Sequence, residues 1–230
     1  MAPRISRRQF SRLLLGLLLG LLLGLLFFSG AASAVGGEAL SPAKAGELRK
    51  RFEAFQKGTR FWSARFSQSL TVPGLKTPIL SEGRIRFRAP DGLRIDFENP
   101  AGEWMLANGE TLLVQKPGRK LVEKSLLNDP AGKPLQGLIS LLRGGEAEEA
   151  AWFSAEVSRE GDLFRIELVR REGAPSHFPK SIVNLLKAES LEVREVSILL
   201  PNGARLSYMF EAVERNRPIA PSFFDASIPR

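Results

Sequence analysis

Few side chains in this 230-residue sequence are equipped for covalent or metal chemistry. There is no cysteine and one histidine. Without thiols there can be no disulfide framework, thiolate zinc site, iron–sulfur cluster, cysteine nucleophile or lipid-modified N-terminal cysteine. One histidine rules out a multi-histidine metal site. That residue, His177, lies between Pro175-Ser176 and Phe178-Pro179. A Ser-His-Asp triad needs only one histidine, so count alone permits a hydrolase. No nucleophile-elbow pattern accompanies it, however, and the flanking prolines mark a loop. Glu146, Glu148 and Glu149 form a short acidic patch of the kind that faces solvent or opens a helix. Arg84, Arg86 and Arg88 alternate with Ile85 and Phe87. Nucleic-acid-binding strands share that pattern, but so does the solvent-facing side of any amphipathic strand, and a solvent-facing side is the expectation. There is no glycine-rich phosphate loop. These residues point away from an enzyme: no catalytic residue, no metal and no cofactor is expected.

The composition fits a globular protein rather than a disordered one. The apolar fraction is 43% and the charged fraction 25%, and 230 residues can bury a sizeable core. The net charge of +8 is split. Residues 1–34 hold Arg4, Arg7, Arg8 and Arg12 and no acid, so half of it lies there. The remainder of the chain is only mildly basic, a weak case for nucleic acid as a partner. Residues 1–34 read as an export signal. A basic start is followed by the uncharged run Leu13–Phe28, and Ala32-Ser33-Ala34 predicts cleavage before Val35. Because the uncharged stretch continues to Gly37, an uncleaved anchor is the alternative. Ser6-Arg7-Arg8-Gln9-Phe10 resembles a twin-arginine signal; the same arginines serve equally as the basic region of a general secretory one. Both routes imply the periplasm.

The elements beyond the signal are set by periodicity. Residues 35–42 read as a small-residue linker and 43–230 as one domain. A helix is expected over Ala43–Lys57, with Leu48, Phe52 and Phe55 on one face and Gly58 as its stop. From Trp62 the period becomes two, and about eleven short strands succeed one another. They centre on residues 62–70, 85–88, 93–98, 104–107, 111–115, 121–124, 153–159, 163–170, 182–187, 193–200 and 205–213. A second helix is expected near Leu135–Leu142. Two helices are too few to cover a large flat sheet. The fold class is therefore mainly β with some α: a strongly curved antiparallel sheet forming an incomplete barrel around a helical plug. That shape leaves a concave apolar interior, a common kind of ligand site.

Several segments together resemble the LolA family of periplasmic carriers of outer-membrane lipoproteins. They are Phe61-Trp62-Ser63-Ala64-Arg65-Phe66-Ser67-Gln68, then Gly83 to Pro90, Leu93 to Pro100, Leu106 to Leu112, Asn202-Gly203, and the ending from Phe223-Phe224 to Pro229. The resemblance spans about residues 43–230. It implies a half-open barrel with a helical lid and an interior that receives acyl chains. It implies acylated lipoproteins or other lipids as cargo, an inner-membrane lipoprotein-releasing ABC transporter as donor, an outer-membrane acceptor, and a monomeric carrier. In the family an arginine just before a strand-ending proline holds the lid. Here Ala89 precedes Pro90, and Arg88 is the nearest counterpart. Relatives with this fold also carry other lipids or glycolipids, or act as envelope sensors without transport. Strand alternation assigns the acyl-binding wall to Trp62, Phe66, Ile85, Phe87, Leu93, Ile95, Phe97, Trp104 and Leu106. Leu135, Leu138, Ile139 and Leu142 join them from the second helix. Carrying needs such a wall, because an acyl chain in water costs about 0.8 kcal/mol per CH₂.

Overall fold

The computed structural model describes residues 37–126, 128, 139, 152–176 and 178–225. The export signal read over 1–34 lies outside them, as do His177 and the acidic patch at Glu146, Glu148 and Glu149. Among the described residues, one α-helix accompanies twelve strands in a single antiparallel sheet.

The elements in chain order are β1 (Glu38–Ala39), α1 (Pro42–Lys57), β2 (Phe61–Thr71), β3 (Ile79–Arg88), β4 (Gly92–Asn99), β5 (Trp104–Asn108), β6 (Thr111–Gln115) and β7 (Val122–Ser125). Then come β8 (Phe153–Glu160), β9 (Leu163–Arg170), β10 (Ser181–Lys187), β11 (Val193–Leu199) and β12 (Arg205–Arg215), and a 3₁₀ turn at Pro221–Phe224. All eleven expected strands form. The additional one, β1, lies in the segment read as a linker: Glu38 and Ala39 pair with Arg159 and Ser158 of β8.

The sheet order is β1-β8-β9-β10-β11-β12-β2-β3-β4-β5-β6-β7. Two meanders are thus joined where β12 meets β2, with Phe210 opposite Phe66 and Tyr208 opposite Gln68. The sheet is open, with β1 and β7 as its edges. Gly83 permits tight curvature at β3. A Cβ there would lie 2.2 Å from the Asp96 carbonyl oxygen and 2.9 Å from the Phe66 ring, so any other residue would push β4 and Phe66 away.

Helix α1 covers the inner face. Ser41 caps it by accepting a hydrogen bond from the Lys44 amide at 3.4 Å, and Pro42 occupies the first turn. Its i, i+4 pair Leu48 and Phe52 joins the core formed by the inward side chains of the strands. The far end of the helix is tied to the end of β12. Arg215 donates to the Phe55 carbonyl at 2.6 Å and to Thr59 Oγ1 at 2.9 Å, and its guanidinium lies 4.2 Å from the Phe55 ring centroid. A cation at a helix C-terminus also meets the negative end of the helix dipole. Asn216, in the left-handed region at φ 57° that asparagine tolerates, completes the tie. Its amide nitrogen donates to the Gly58 carbonyl at 2.8 Å and its oxygen accepts from the Arg60 amide at 2.8 Å.

Arg215→Met keeps the aliphatic stem and removes the charged bonds, a loss of about 1–3 kcal/mol. Hydrogen exchange should accelerate selectively over residues 48–57 while β2, β3 and β12 stay protected. Uniform acceleration across the sheet would show that the tie supports the whole fold rather than the helix.

Candidate functional site

The inner wall is built by alternation and aligned by register. Opposed residues on neighbouring strands share a face, so Phe87 meets Leu93 and Ile85 meets Ile95 across β3 and β4. Trp62 meets Phe87 and Ala64 meets Ile85 across β2 and β3. The rings interlock at the centre. Phe66 sits edge-on to Phe97 at 5.7 Å and to Tyr208 at 6.1 Å, while Trp62 sits edge-on to Phe210 at 6.0 Å. Between Phe66, Gln68, Ile85, Ile95, Phe97, Tyr208 and Phe210 remains a cavity of about 10 Å³, room for roughly one water. The interior is mostly apolar, and its side chains nearly fill it.

Of the residues assigned to the wall, Trp62, Phe66, Ile85, Phe87, Leu93, Ile95 and Phe97 come together in this one core. Ile139 joins them, 5% exposed. Leu135, Leu138 and Leu142 lie outside the described residues. Trp104 and Leu106 do not belong to the wall. They stand opposite Asp96 and Arg94, whereas Met105 and Ala107 stand opposite Ile95 and Leu93. Trp104 and Leu106 therefore face outward, into a separate cluster with Leu113 and Phe224. The correction has a simple cause. Trp104-Met105-Leu106-Ala107 is apolar at every position, so its phase cannot be read from alternation.

Arg88 also faces outward. It lies opposite Phe61 on β2, and its guanidinium sits 4.5 Å from the Phe224 ring centroid. It is one residue out of phase with the inner wall, and the arginine that ties α1 is Arg215. The interleaved arginines are not simply solvent-facing either. Arg86 stacks on Phe223 at 4.3 Å and Arg94 on Trp104 at 4.7 Å, while Arg86 and Arg94 both bind Asp96, at 2.6 and 2.7 Å. Hydrogen bonds from Arg65 and Arg84 hold the Glu98 carboxyl below the usual carboxylate range. The outer face of β3–β5 thus straps down the segment Ile219–Phe224.

Three inward residues escaped the assignment by sequence because they are polar. Gln68 is 2% exposed, and neither its Nε2 nor its Oε1 has a hydrogen-bond partner. Asn184 is buried with Oδ1 unpartnered. Each such group costs about 1–3 kcal/mol. Burial also pushes the Tyr208 phenol well above its ordinary value, so it stays neutral. The available signal was phase: Gln68 falls two residues after Phe66 and two before Leu70.

A pair of clefts lies between α1 and the β8–β9 hairpin. A cleft of about 280 Å³ has Leu40, Leu48 and Phe164 as its floor and Glu38, Lys44, Glu47, Arg51 and Arg159 as its rim. It shares Arg51, Arg159 and Phe164 with a second cleft of about 570 Å³ that extends to Asp162, Lys187 and Glu192. Leu48 and Phe164 also belong to the inner core, so the floor of this charged-rimmed cleft is the edge of that core. Among the described residues, no group of three or more His, Cys, Asp or Glu is placed to hold a metal ion.

The sequence model of the family described as outer membrane lipoprotein carrier protein LolA matches residues 57–227. An outer-membrane lipoprotein carrier protein of Coxiella burnetii is 26% identical over 173 residues, covering 72% of this chain and 76% of that protein. Another from Psychromonas ingrahamii is 25% identical over 169 residues, covering 74% and 78%. The crystal structure of MucB superposes with a TM-score of 0.52 at 13% identity. It covers 82% of this chain and 65% of MucB, and the likeness is one of fold.

The two faces should separate experimentally. Trp104→Ala should cost about 3–5 kcal/mol of unfolding free energy and leave binding of an apolar fluorescent dye unchanged. Phe66→Ala should cost a similar amount and increase dye binding, because it hollows the interior. Equal dye responses, measured with denaturant titrations alongside, would refute the assignment of faces.

Proposed function

Because this chain belongs to the outer membrane lipoprotein carrier family, we propose that it is a periplasmic carrier that takes acyl chains of lipoproteins between inner wall and helix. The observation supporting this reading is the interior itself: an apolar face spanning β2 to β12 under one helix that side-chain bonds hold. Carriage needs no nucleophile, metal or cofactor. It needs a greasy surface that can be exposed to cargo and then covered again.

The closed cavity of about 10 Å³ is far too small for an acyl chain. Loading therefore requires α1 to move away from the wall, with entry past the rim of Arg51 and Arg159. The gain on loading is the transfer of the chain from water, about 0.8 kcal/mol per CH₂. The opposing cost is the loss of contacts that Leu48, Phe52 and the wall now make with one another. Because the empty carrier satisfies its own wall, the net affinity is far below the gross transfer energy. That difference is what makes unloading feasible without a chemical step. On this reading an inner-membrane lipoprotein-releasing ABC transporter supplies cargo, an outer-membrane acceptor takes it, and the carrier works as a monomer.

Protein purified from its native periplasm should yield acylated protein or lipid by mass spectrometry, and the empty form should bind a fluorescent fatty-acyl probe. Recovery of lipoproteins specifically would identify the cargo; another lipid would redirect the reading to that lipid. Empty protein that ignores the probe but captures a membrane regulator would replace carriage with sensing.

A further inference from the structure

Two buried side chains with unpartnered polar atoms, Gln68 and Asn184, lie on one row of the sheet. In the sheet register Asn184 lies opposite Val196, Val196 opposite Tyr208, Tyr208 opposite Gln68, and Gln68 opposite Ser81. Opposed residues share a face, so these five positions form one row across β10, β11, β12, β2 and β3. All five are buried. The neighbouring rows are apolar. On one side lie Ile182, Ile198, Leu206, Leu70 and Ile79; on the other, Phe210 and Phe66. Four polar positions, interrupted by Val196 on β11, therefore lie on one row of an otherwise greasy wall, and Gln68 and Tyr208 border the central cavity.

We propose that this row, centred on Gln68 and Tyr208, is a subsite for the uncharged linkage of an acyl ligand: the ester or amide group that joins the chain to its carrier molecule. This rests on the carrier reading and adds to it where along the ligand recognition occurs. Gln68 offers both a donor and an acceptor, and both atoms are unpartnered, so the choice of amide orientation does not matter. An ester carbonyl would accept from Gln68 Nε2 and from the Tyr208 hydroxyl; an amide N–H would donate to Gln68 Oε1. No charged side chain belongs to the row, so a carboxylate or phosphate placed there would lose its hydration without a counter-ion. The chemistry of the row selects a neutral hydrogen-bonding group flanked by hydrocarbon. A row serving only to fix strand register would show no such preference.

The test uses the full chain loaded with a fluorescent alkyl probe. Methyl palmitate and an alkane of equal heavy-atom count compete for the site. The ester should displace the probe at about tenfold lower concentration than the alkane, the effect of one or two added hydrogen bonds. Gln68→Leu should erase that difference, bringing the ratio of ester to alkane competition to about one. It should also raise Tm by about 2–6 °C, since a buried unpartnered amide is removed. Tyr208→Phe gives an independent reading if Gln68→Leu folds poorly, and should reduce the ester preference by about threefold or more. Equal competition by ester and alkane in the wild type, or a preference that survives both substitutions, overturns the subsite and leaves carriage standing. Failure of the probe and both competitors to bind overturns carriage, and the subsite with it.

Discussion

One constraint organises this molecule: the apolar inner face of a twelve-stranded sheet has to be hidden from water, and the sheet does not close on itself. A closed barrel would hide its interior by geometry. Here curvature brings the strands only part of the way round, and α1 covers what the strands leave open. Each large side chain buried on that face contributes about 1.5–3 kcal/mol, so the helix is held chiefly by the wall it covers. The ties from Arg215 and Asn216 then act at one end of the helix and set where it sits. A cover retained by non-directional contacts and anchored at one end can be displaced without breaking the sheet. On the proposed function, the surface that stabilises the empty protein is the one that would receive cargo.

The outer face answers a different need. Between β3 and β5 it carries arginines at alternating positions, and these lie under the aromatic rings of the 3₁₀ turn. Arg94, 3% exposed, is tolerated there because Asp96, the Trp104 ring and the Phe223 carbonyl satisfy it together. The result is a sheet buried on both sides over this region.

Much of this was legible from the residues alone. Alternation in β2, β3 and β4 identified both the strands and their inward sides, and the Leu48–Phe52 spacing identified the helix. The family resemblance agreed with the curved open sheet. Other features were not legible, each for its own reason. Trp104 and Leu106 belong to a run with no polar member, so their side is set by the pairing with β4. The two residues of β1 carry no period, and their strand exists only because β8 is there. Arg215 is far in sequence from the helix it ties, and Arg88 drew the lid role because it lies close to a proline. The polar row of the interior was hidden by the rule that locates walls: a search for apolar alternation passes over Gln68 and Tyr208.

The seam between β12 and β2 has a kinetic consequence. Arg60 and Asn216 are bonded although 156 residues apart, and the central rings of the interior, Phe66 and Phe210, meet across that seam. Contacts so distant carry a loop-closure cost that only the last stages of folding recover. Until β12 arrives, β2 presents an unpaired edge, and the first half of the wall has nothing opposite it. The interior is therefore complete only once β12 has paired with β2. A chain cut short before β12 keeps α1 and eleven strands but lacks the strand that joins the two meanders, so its inner wall is left in two parts.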